Sequence, residues 1–305
     1  MKYAKRNNIK PKYIIISALI LFILLVFFLI ILSTKKPVKD IVWTCDDLPF
    51  KPLNLAVVVE LDGKTRVFEK ENYPENKRDR LEHSVKNDTD DMGIVTYNGP
   101  GKIGIDVSYY QKEIDWVKVK QSGVDFAMIR LGYRGAVTGK LVIDEKFVSN
   151  IENAIANDID VGVYFFSQAI SAEEALEEAQ FVLDAIKPYK DEIEFPIAFD
   201  WEWVHFEDNR TETVSGDVVS LAAKAFCEKI EENGLSSIIY MNKNMGYNFL
   251  DLETINNHNI WIAEYEEMPT FFYDFKMWQY TETGKIDGIN GNVDINIAYF
   301  EWKSI

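Results

Sequence analysis

PIAFDWE, residues 196–202, decides how this chain is read. Side chains alternate across a strand, so Ile197, Phe199 and Trp201 form one face and Ala198, Asp200 and Glu202 the other. Burying a carboxylate is costly unless it is paired or protonated, so two acids on the second face need a chemical reason or a partner. The same alternation recurs on both sides of this segment. IGIDVS (103–108) sets Ile103, Ile105 and Val107 against Gly104, Asp106 and Ser108, and NVDIN (292–296) opens a run that sets Val293, Ile295 and Ile297 against Asn292, Asp294 and Asn296.

Five apolar runs, at 103–108, 126–133, 161–167, 196–202 and 237–242, are each followed by a helical stretch. Asp115 and Ser171 read as helix N-caps, Asp144 as the cap of a helix ending near Asn157, and Ser215 and Gly234 bracket a fourth helix. A weaker helical stretch runs to about Asn257. Three more strand candidates, 260–265, 275–280 and 292–296, are separated by gaps too short for crossover helices. The expected fold class is therefore α/β: a TIM-like barrel of five β/α units plus three β-strands. An open doubly wound sheet fits less well, because no glycine-rich phosphate loop follows the first strand. In a barrel, Asp106, Asp200, Glu202 and Asp294 converge in one lumen near the C-terminal strand ends, where barrel active sites form. Arg130, Trp261 and Tyr265 take the face opposite their strands' aliphatic residues. Tyr164, Tyr240, Trp261, Tyr265, Trp278 and Tyr280 offer flat faces and polar tips suited to sugar rings. Two other uses of the acids stay open: pairing with Arg130, and a divalent-metal site built on hard oxygen ligands, against which the aromatic surroundings weigh.

Composition narrows the function classes. The chain has 305 residues, is 47% hydrophobic and carries a formal charge of -16, which excludes disorder for most of its length. Residues 1–40 hold eight Lys or Arg, so the rest of the chain is strongly acidic and repels phosphate backbones; no nucleic-acid partner is expected. Two cysteines, Cys45 and Cys227, make no disulfide framework, and three histidines leave little material for a zinc site or a serine triad, so no cofactor or metal is expected.

The termini and linkers carry a different message. Residues 13–32 contain no charge and, at about 1.5 Å per residue, would span roughly 30 Å, the hydrocarbon thickness of a bilayer. Lys2, Lys5, Arg6, Lys10 and Lys12 precede this stretch, whereas only Lys35, Lys36 and Lys39 follow it closely, so positive-inside bias keeps the N-terminus cytoplasmic. The expected organisation is a basic cytoplasmic tail (1–12), a single transmembrane helix as anchor (13–32), a stalk with a small β element and polar linker (33–100), and the barrel (101–305). The stalk's hairpin is signalled by Asp62-Gly63 between two apolar runs.

The segments GIDVSYYQ, FAMIRLGYRG, VGVYFFSQA, PIAFDWE, IYMN, WIAEY, MWQY and GNVDIN, in this order, resemble glycoside hydrolase family 25, the muramidases or lysozymes. The resemblance covers Gly101 to about Phe300. It implies a barrel of five β/α units and three strands, hydrolysis of the β-1,4 bond between N-acetylmuramic acid and N-acetylglucosamine, and peptidoglycan glycan strands as the partner. It also implies that Glu202 is the general acid, with Asp200, Asp106 and Asp294 as acidic companions. The chain departs from the pattern in the second tryptophan, Trp203, and in lacking wall-binding repeats after the barrel. A non-catalytic wall-glycan binding protein on the same barrel is the competing expectation, while a chitinase-like barrel expects a longer run of acids than strand four holds. The anchor would place the catalytic domain outside the cell, for local wall remodelling.

Overall fold

The computed structural model describes residues 101–266 and 268–299, together with the backbone of 41–43, 56–61 and 64–69. The apolar stretch 13–32, expected as a transmembrane helix, lies outside the described residues. Among those described, no helix is long and apolar enough to cross a membrane.

Three short strands, β1 (Ile41–Trp43), β2 (Ala56–Leu61) and β3 (Lys64–Glu69), form an antiparallel sheet in the order β1-β2-β3. Leu61 pairs directly with Lys64, where the sequence carries its Asp62-Gly63 turn signal. The third strand of this sheet, β1, was not anticipated.

From residue 102 the chain builds a closed barrel. Its elements are β4 (Lys102–Val107), α1 (Trp116–Gln121), β5 (Phe126–Arg134), β6 (Leu141–Ile143), α2 (Phe147–Ala156), β7 (Asp160–Ser167), α3 (Ala172–Ala185), β8 (Ile193–Trp201), α4 (Gly216–Glu231), β9 (Ser237–Asn242), α5 (Lys243–Asn248), α6 (Leu252–Ile255), β10 (Ile260–Ala263), β11 (Met277–Gly284) and β12 (Val293–Ala298). Eight strands follow the order β4-β5-β7-β8-β9-β10-β11-β12 and close where β12 pairs with β4. All neighbours are parallel except β12, which runs antiparallel to both β11 and β4. β6 is a ninth, short strand hairpinned onto the end of β5.

Helix starts follow local chemistry. Asp115, Ser171 and Ser215 each accept a hydrogen bond from a first-turn amide, satisfying a donor that the helix itself leaves open. Asp144 does not cap α2, which starts at Phe147 with no side-chain cap. Its Oδ1 accepts from the Lys146 amide just ahead of the helix at 2.8 Å, and its Oδ2 accepts from Arg130 Nε at 2.7 Å and the Tyr109 amide at 3.1 Å, so the buried guanidinium gets its counter-charge from the same carboxylate. The fifth connection, expected as one helical stretch, is split into α5 and α6, of six and four residues. Gly246 and the asparagines around it are poor helix formers.

The alternation read from sequence sorts the strands correctly in β4, β8 and β12. Ile105, Ile197, Phe199, Trp201, Ile295 and Ile297 pack outward against the helices. A second, inner cluster built on Phe126, Met128, Phe195, Ile238 and Met277 plugs the lower lumen. Phe126 and Phe195 stack with ring centroids 4.1 Å apart, and a Cβ on Gly104 would lie 2.3 Å from the Phe126 ring, so the plug requires glycine there. Above this apolar floor the lumen opens at the C-terminal strand ends.

Candidate active site

Five carboxyl groups, the four predicted acids and Glu282 of β11, line with their supports a pocket of about 290 Å³ at that end of the barrel. Asp106 comes from β4, Asp294 from β12, Asp200 from β8, and Glu202 from the residue after Trp201, where β8 ends. Asp106 and Asp294 are direct cross-strand partners, which on one face brings Cβ atoms within about 4.5–5.5 Å. Like charges so placed repel, and the lumen resolves the conflict by giving them unequal hydrogen bonds.

Asp106 Oδ2 accepts from Gln279 Nε2 at 2.9 Å and from Asn296 Nδ2 at 2.8 Å. Each amide is oriented from behind. Gln279 Oε1 accepts from the hydroxyls of Tyr240 and Tyr265, both at 2.9 Å, and Asn296 Oδ1 accepts from Trp261 Nε1 at 2.8 Å. The aromatic donors thus fix the amide oxygens and turn both NH₂ groups onto one carboxylate.

The proton affinities follow from this arrangement. Burial pushes Asp106 up to about 6, with the Asn296 and Gln279 amides pulling the other way. Burial first, and then the charge of Asp106, lift Glu202 to about 7. Burial, with Asp106 and Glu282 adding repulsion, lifts Asp294 to about 8. Asp200 is raised well above the ordinary carboxylate range by burial, then by Glu202 and Asp106. Asp106, the acid with amide donors, ionises first, and its negative charge keeps a proton on its neighbours.

A stability consequence follows. An unfolded Asp or Glu titrates near 4, so between about pH 4 and pH 8 the folded chain binds more protons than the unfolded one. Stability is then greatest at the acid end of that window and falls as pH rises through the raised values. Melting temperature is expected to drop between pH 5 and pH 8.5, and Asp294→Asn should flatten the decline. A profile unchanged by Asp294→Asn would mean that this carboxyl is not held protonated.

Glu202 is also held through its backbone. The fully buried Gln168 donates from Nε2 to the Glu202 carbonyl oxygen at 2.9 Å, and its Oε1 accepts from Thr211 Oγ1 at 3.1 Å. Neither residue stood out in the sequence.

The predicted aromatic set divides. Tyr164, Tyr240, Trp261 and Tyr265 line the pocket, as does Arg130. Trp261 is only 2% exposed, with Tyr164 and Tyr240 packed edge-on against it, so it is wall and hydrogen-bond donor rather than an open stacking platform. Trp278 and Tyr280 are not part of the pocket. Trp278 packs into the outer core and donates to the Glu264 carbonyl oxygen at 2.8 Å, with Tyr280 against it. Met277, Trp278 and Gln279 of β11 are all buried, so Trp278 and the partly buried Tyr280 fill the outer core while Met277 and Gln279 turn to the crowded lumen. Trp278→Phe is expected to leave glycan affinity unchanged and to cost about 1 kcal/mol of stability through the lost hydrogen bond, read by calorimetry and thermal melting. Weakened glycan binding with unaltered melting would return Trp278 to the site.

Gln279 and Asn296 are the functional residues that the sequence reading passed over. The signal was there: each is an amide on the lumen face of its segment, Asn296 in line with Asp294. Tyr110, 66% exposed at the pocket mouth, carried no such signal. It sits on a single 3-10 turn, Tyr109–Gln111, set by Ser108 and Gln111 in a capping box. Among the described residues, no group of three or more His, Cys, Asp or Glu is spaced to hold a metal ion.

Over 242 residues the chain is 23% identical to Lysozyme M1 of Streptomyces globisporus, covering 71% of this chain and 74% of that protein. It shares its fold with the spore cortex lytic enzyme SleM of Clostridium perfringens, at a TM-score of 0.56 and 21% identity, over 67% of this chain and 68% of that one. A family 25 glycosyl hydrolase from Bacillus anthracis matches at a TM-score of 0.56 and 22% identity, over 70% and 95% of the two chains. The family model for glycosyl hydrolases family 25 matches residues 105–289, which take in the barrel from β4 through β11 with Asp106, Asp200 and Glu202, while β12 and Asp294 follow it, and the chain belongs to that family.

Proposed function

We propose that the chain is a peptidoglycan N-acetylmuramidase whose general acid is Glu202. The observation that carries this reading is the gathering of Asp106, Asp200, Glu202 and Asp294 in one buried pocket, with two amide donors on Asp106 and the Glu202 carboxyl raised by burial and by the charge of Asp106. The lysozyme and the cortex lytic enzyme among its relatives support the substrate class.

In this mechanism Glu202 gives its proton to the glycosidic oxygen as the bond to the anomeric carbon breaks. The sugar's own 2-acetamido oxygen attacks that carbon, an accepted variant of glycoside hydrolysis. Asp200 Oδ1, buried and without a hydrogen-bond partner, is free to accept from the acetamido N–H and orient the group, while the Asp106 charge nearby favours the positive charge developing there. Water then opens the cyclic intermediate with the Glu202 carboxylate as base, and configuration is retained. Digestion of purified peptidoglycan, with the new reducing-end sugar identified by mass spectrometry, tests the assignment. Muramic acid ends are expected. Glucosamine ends would overturn the bond assigned, and binding without cleavage would favour the wall-glycan binding protein.

The anchor at 13–32 belongs to the same proposal. Tethered to the outer face of the cell membrane, the barrel would reach only the innermost wall, which suits local remodelling. Full-length chain is then expected in the membrane fraction, with its barrel open to protease added to wall-less cells. Mature protein in the medium with a new N-terminus near Ser33 to Lys36 would replace the tether with a cleaved signal.

A further inference from the structure

Arg130 stands between two cavities. It lines the carboxyl pocket and also an adjoining cleft of about 850 Å³, within the range of small-molecule sites. The residue is only 8% exposed. A guanidinium carries five N–H donors, yet among the described residues only Nε is engaged, with Asp144, and Nη2 is buried with no hydrogen-bond partner. Leaving such donors unmade is costly, so they call for an acceptor that arrives with a ligand. The group is rigidly presented: Asp144 fixes one edge, and the rings of Tyr109, Tyr110 and Tyr133 surround it at 5.0, 5.3 and 5.8 Å. Among the described residues its hydrogen bond and ion pair are with Asp144, and on the lumen acids it acts only through its charge, on Asp200.

The cleft specifies the rest of the ligand. Val137, Val142 and Ile143 on and beside the β5–β6 hairpin face Val204 and Phe206 on the loop after β8. The second cation on its lining, Arg134, is already occupied by Glu178 and Glu177. An occupant must therefore offer one acceptor at the junction and a largely apolar body leading away from the lumen. A muramyl sugar with its anomeric carbon at Glu202 carries such an arm on its 3-oxygen: an O–CH(CH₃)–C(=O)–NH chain continuing into peptide.

The geometry points to Arg130 and this cleft as a subsite for the lactyl-peptide arm of muramic acid, the Arg130 terminal nitrogens donating to the lactyl carbonyl and the first peptide residues lying along the apolar walls. This rests on the muramidase reading of the lumen. It makes the subsite a specificity device, favouring wall glycan over a polymer of N-acetylglucosamine alone.

The test uses the full chain in detergent carrying Glu202→Gln, so that ligands persist, and three tetrasaccharides: all N-acetylglucosamine, alternating with N-acetylmuramic acid, and the latter bearing an alanyl-isoglutamine dipeptide. Affinity by calorimetry is expected to rise along this series, by at least about tenfold from first to last, the factor of a hydrogen bond to a charged group. Arg130→Gln keeps a donor for Asp144 while removing the terminal nitrogens. It should abolish most of the gain, weakening the dipeptide ligand far more than the armless one. Equal affinity for all three ligands, or equal weakening of all three by Arg130→Gln, overturns the subsite and leaves Arg130 as a charge-balancing group. Should that variant not fold, Ile143→Asp on the cleft rim decides, with selective loss of the dipeptide ligand expected and unchanged affinity overturning the proposal. Failure of the active chain to release muramic acid ends from peptidoglycan is a separate result and counts against the muramidase reading itself.

Discussion

Glu202→Gln is expected to lower turnover on peptidoglycan by at least about 10², the lower end of what a positioned general acid contributes, while the chain folds as before. Glutamine matches glutamate in volume and keeps the Gln168 bond to the backbone carbonyl, but it has no proton to give. The same assignment fixes a pH dependence. With the Glu202 carboxyl pushed up to about 7 by burial and by the charge of Asp106, activity should fall on the alkaline side of about pH 7 as that proton is lost. Asp106→Asn removes the charge that helps hold it, so the alkaline limb of whatever activity survives should move to lower pH. Near-wild-type hydrolysis by Glu202→Gln would overturn the assignment, and an alkaline limb unmoved in Asp106→Asn would remove Asp106 as its electrostatic support.

The second large effect is on the fold. Trp261→Ala is expected to destabilise the barrel by about 3–5 kcal/mol, the cost of deleting a buried aromatic, and to lower the melting temperature by about 6–20 °C for a domain of this size. The indole packs edge-on against Tyr164 and Tyr240, and its Nε1 holds the Asn296 amide that steadies Asp106. Removing it opens a cavity in the lumen wall and frees Asn296 to rotate, so activity should fall even under conditions where the variant remains folded. Trp261→Phe fills most of the space but lacks the donor, and should separate the two effects: most of the stability returns, less of the activity. An unchanged melting temperature in Trp261→Ala combined with lost glycan affinity would make this ring a sugar platform after all.

Period-two alternation carried a large part of the site. In β4, β8 and β12 each strand has one face of large aliphatic or aromatic residues and one face of acids and small residues, so the lumen side of Asp106, Asp200 and Asp294 is legible without coordinates. In β11 the rule fails. Met277, Trp278, Gln279 and Tyr280 put substantial apolar bulk on both faces, and the aromatic pair reads as a sugar site when it is outer core. Asp144 misled for a different reason. An acid just before a helix is a sound capping signal, and here it reaches only the Lys146 amide ahead of the first turn; its second partner, Arg130, is fourteen residues away, and nothing local announces it.

The sequence by itself determined the strand succession, the alternation that turns Asp106, Asp200 and Asp294 inward with Glu202 beside them, and the family, because these depend on contacts between near neighbours and on residue types in fixed order. Only the tertiary structure decided which acid ionises first. That depends on Gln279 and Asn296 reaching Asp106 across 173 and 190 residues of chain, and on Tyr240 of β9, Trp261 of β10 and Tyr265 just after β10 orienting those amides. Proton affinity inside a barrel is set by what surrounds each carboxyl in space, and closure of β12 onto β4 is what places two like charges side by side and forces them apart in pKa.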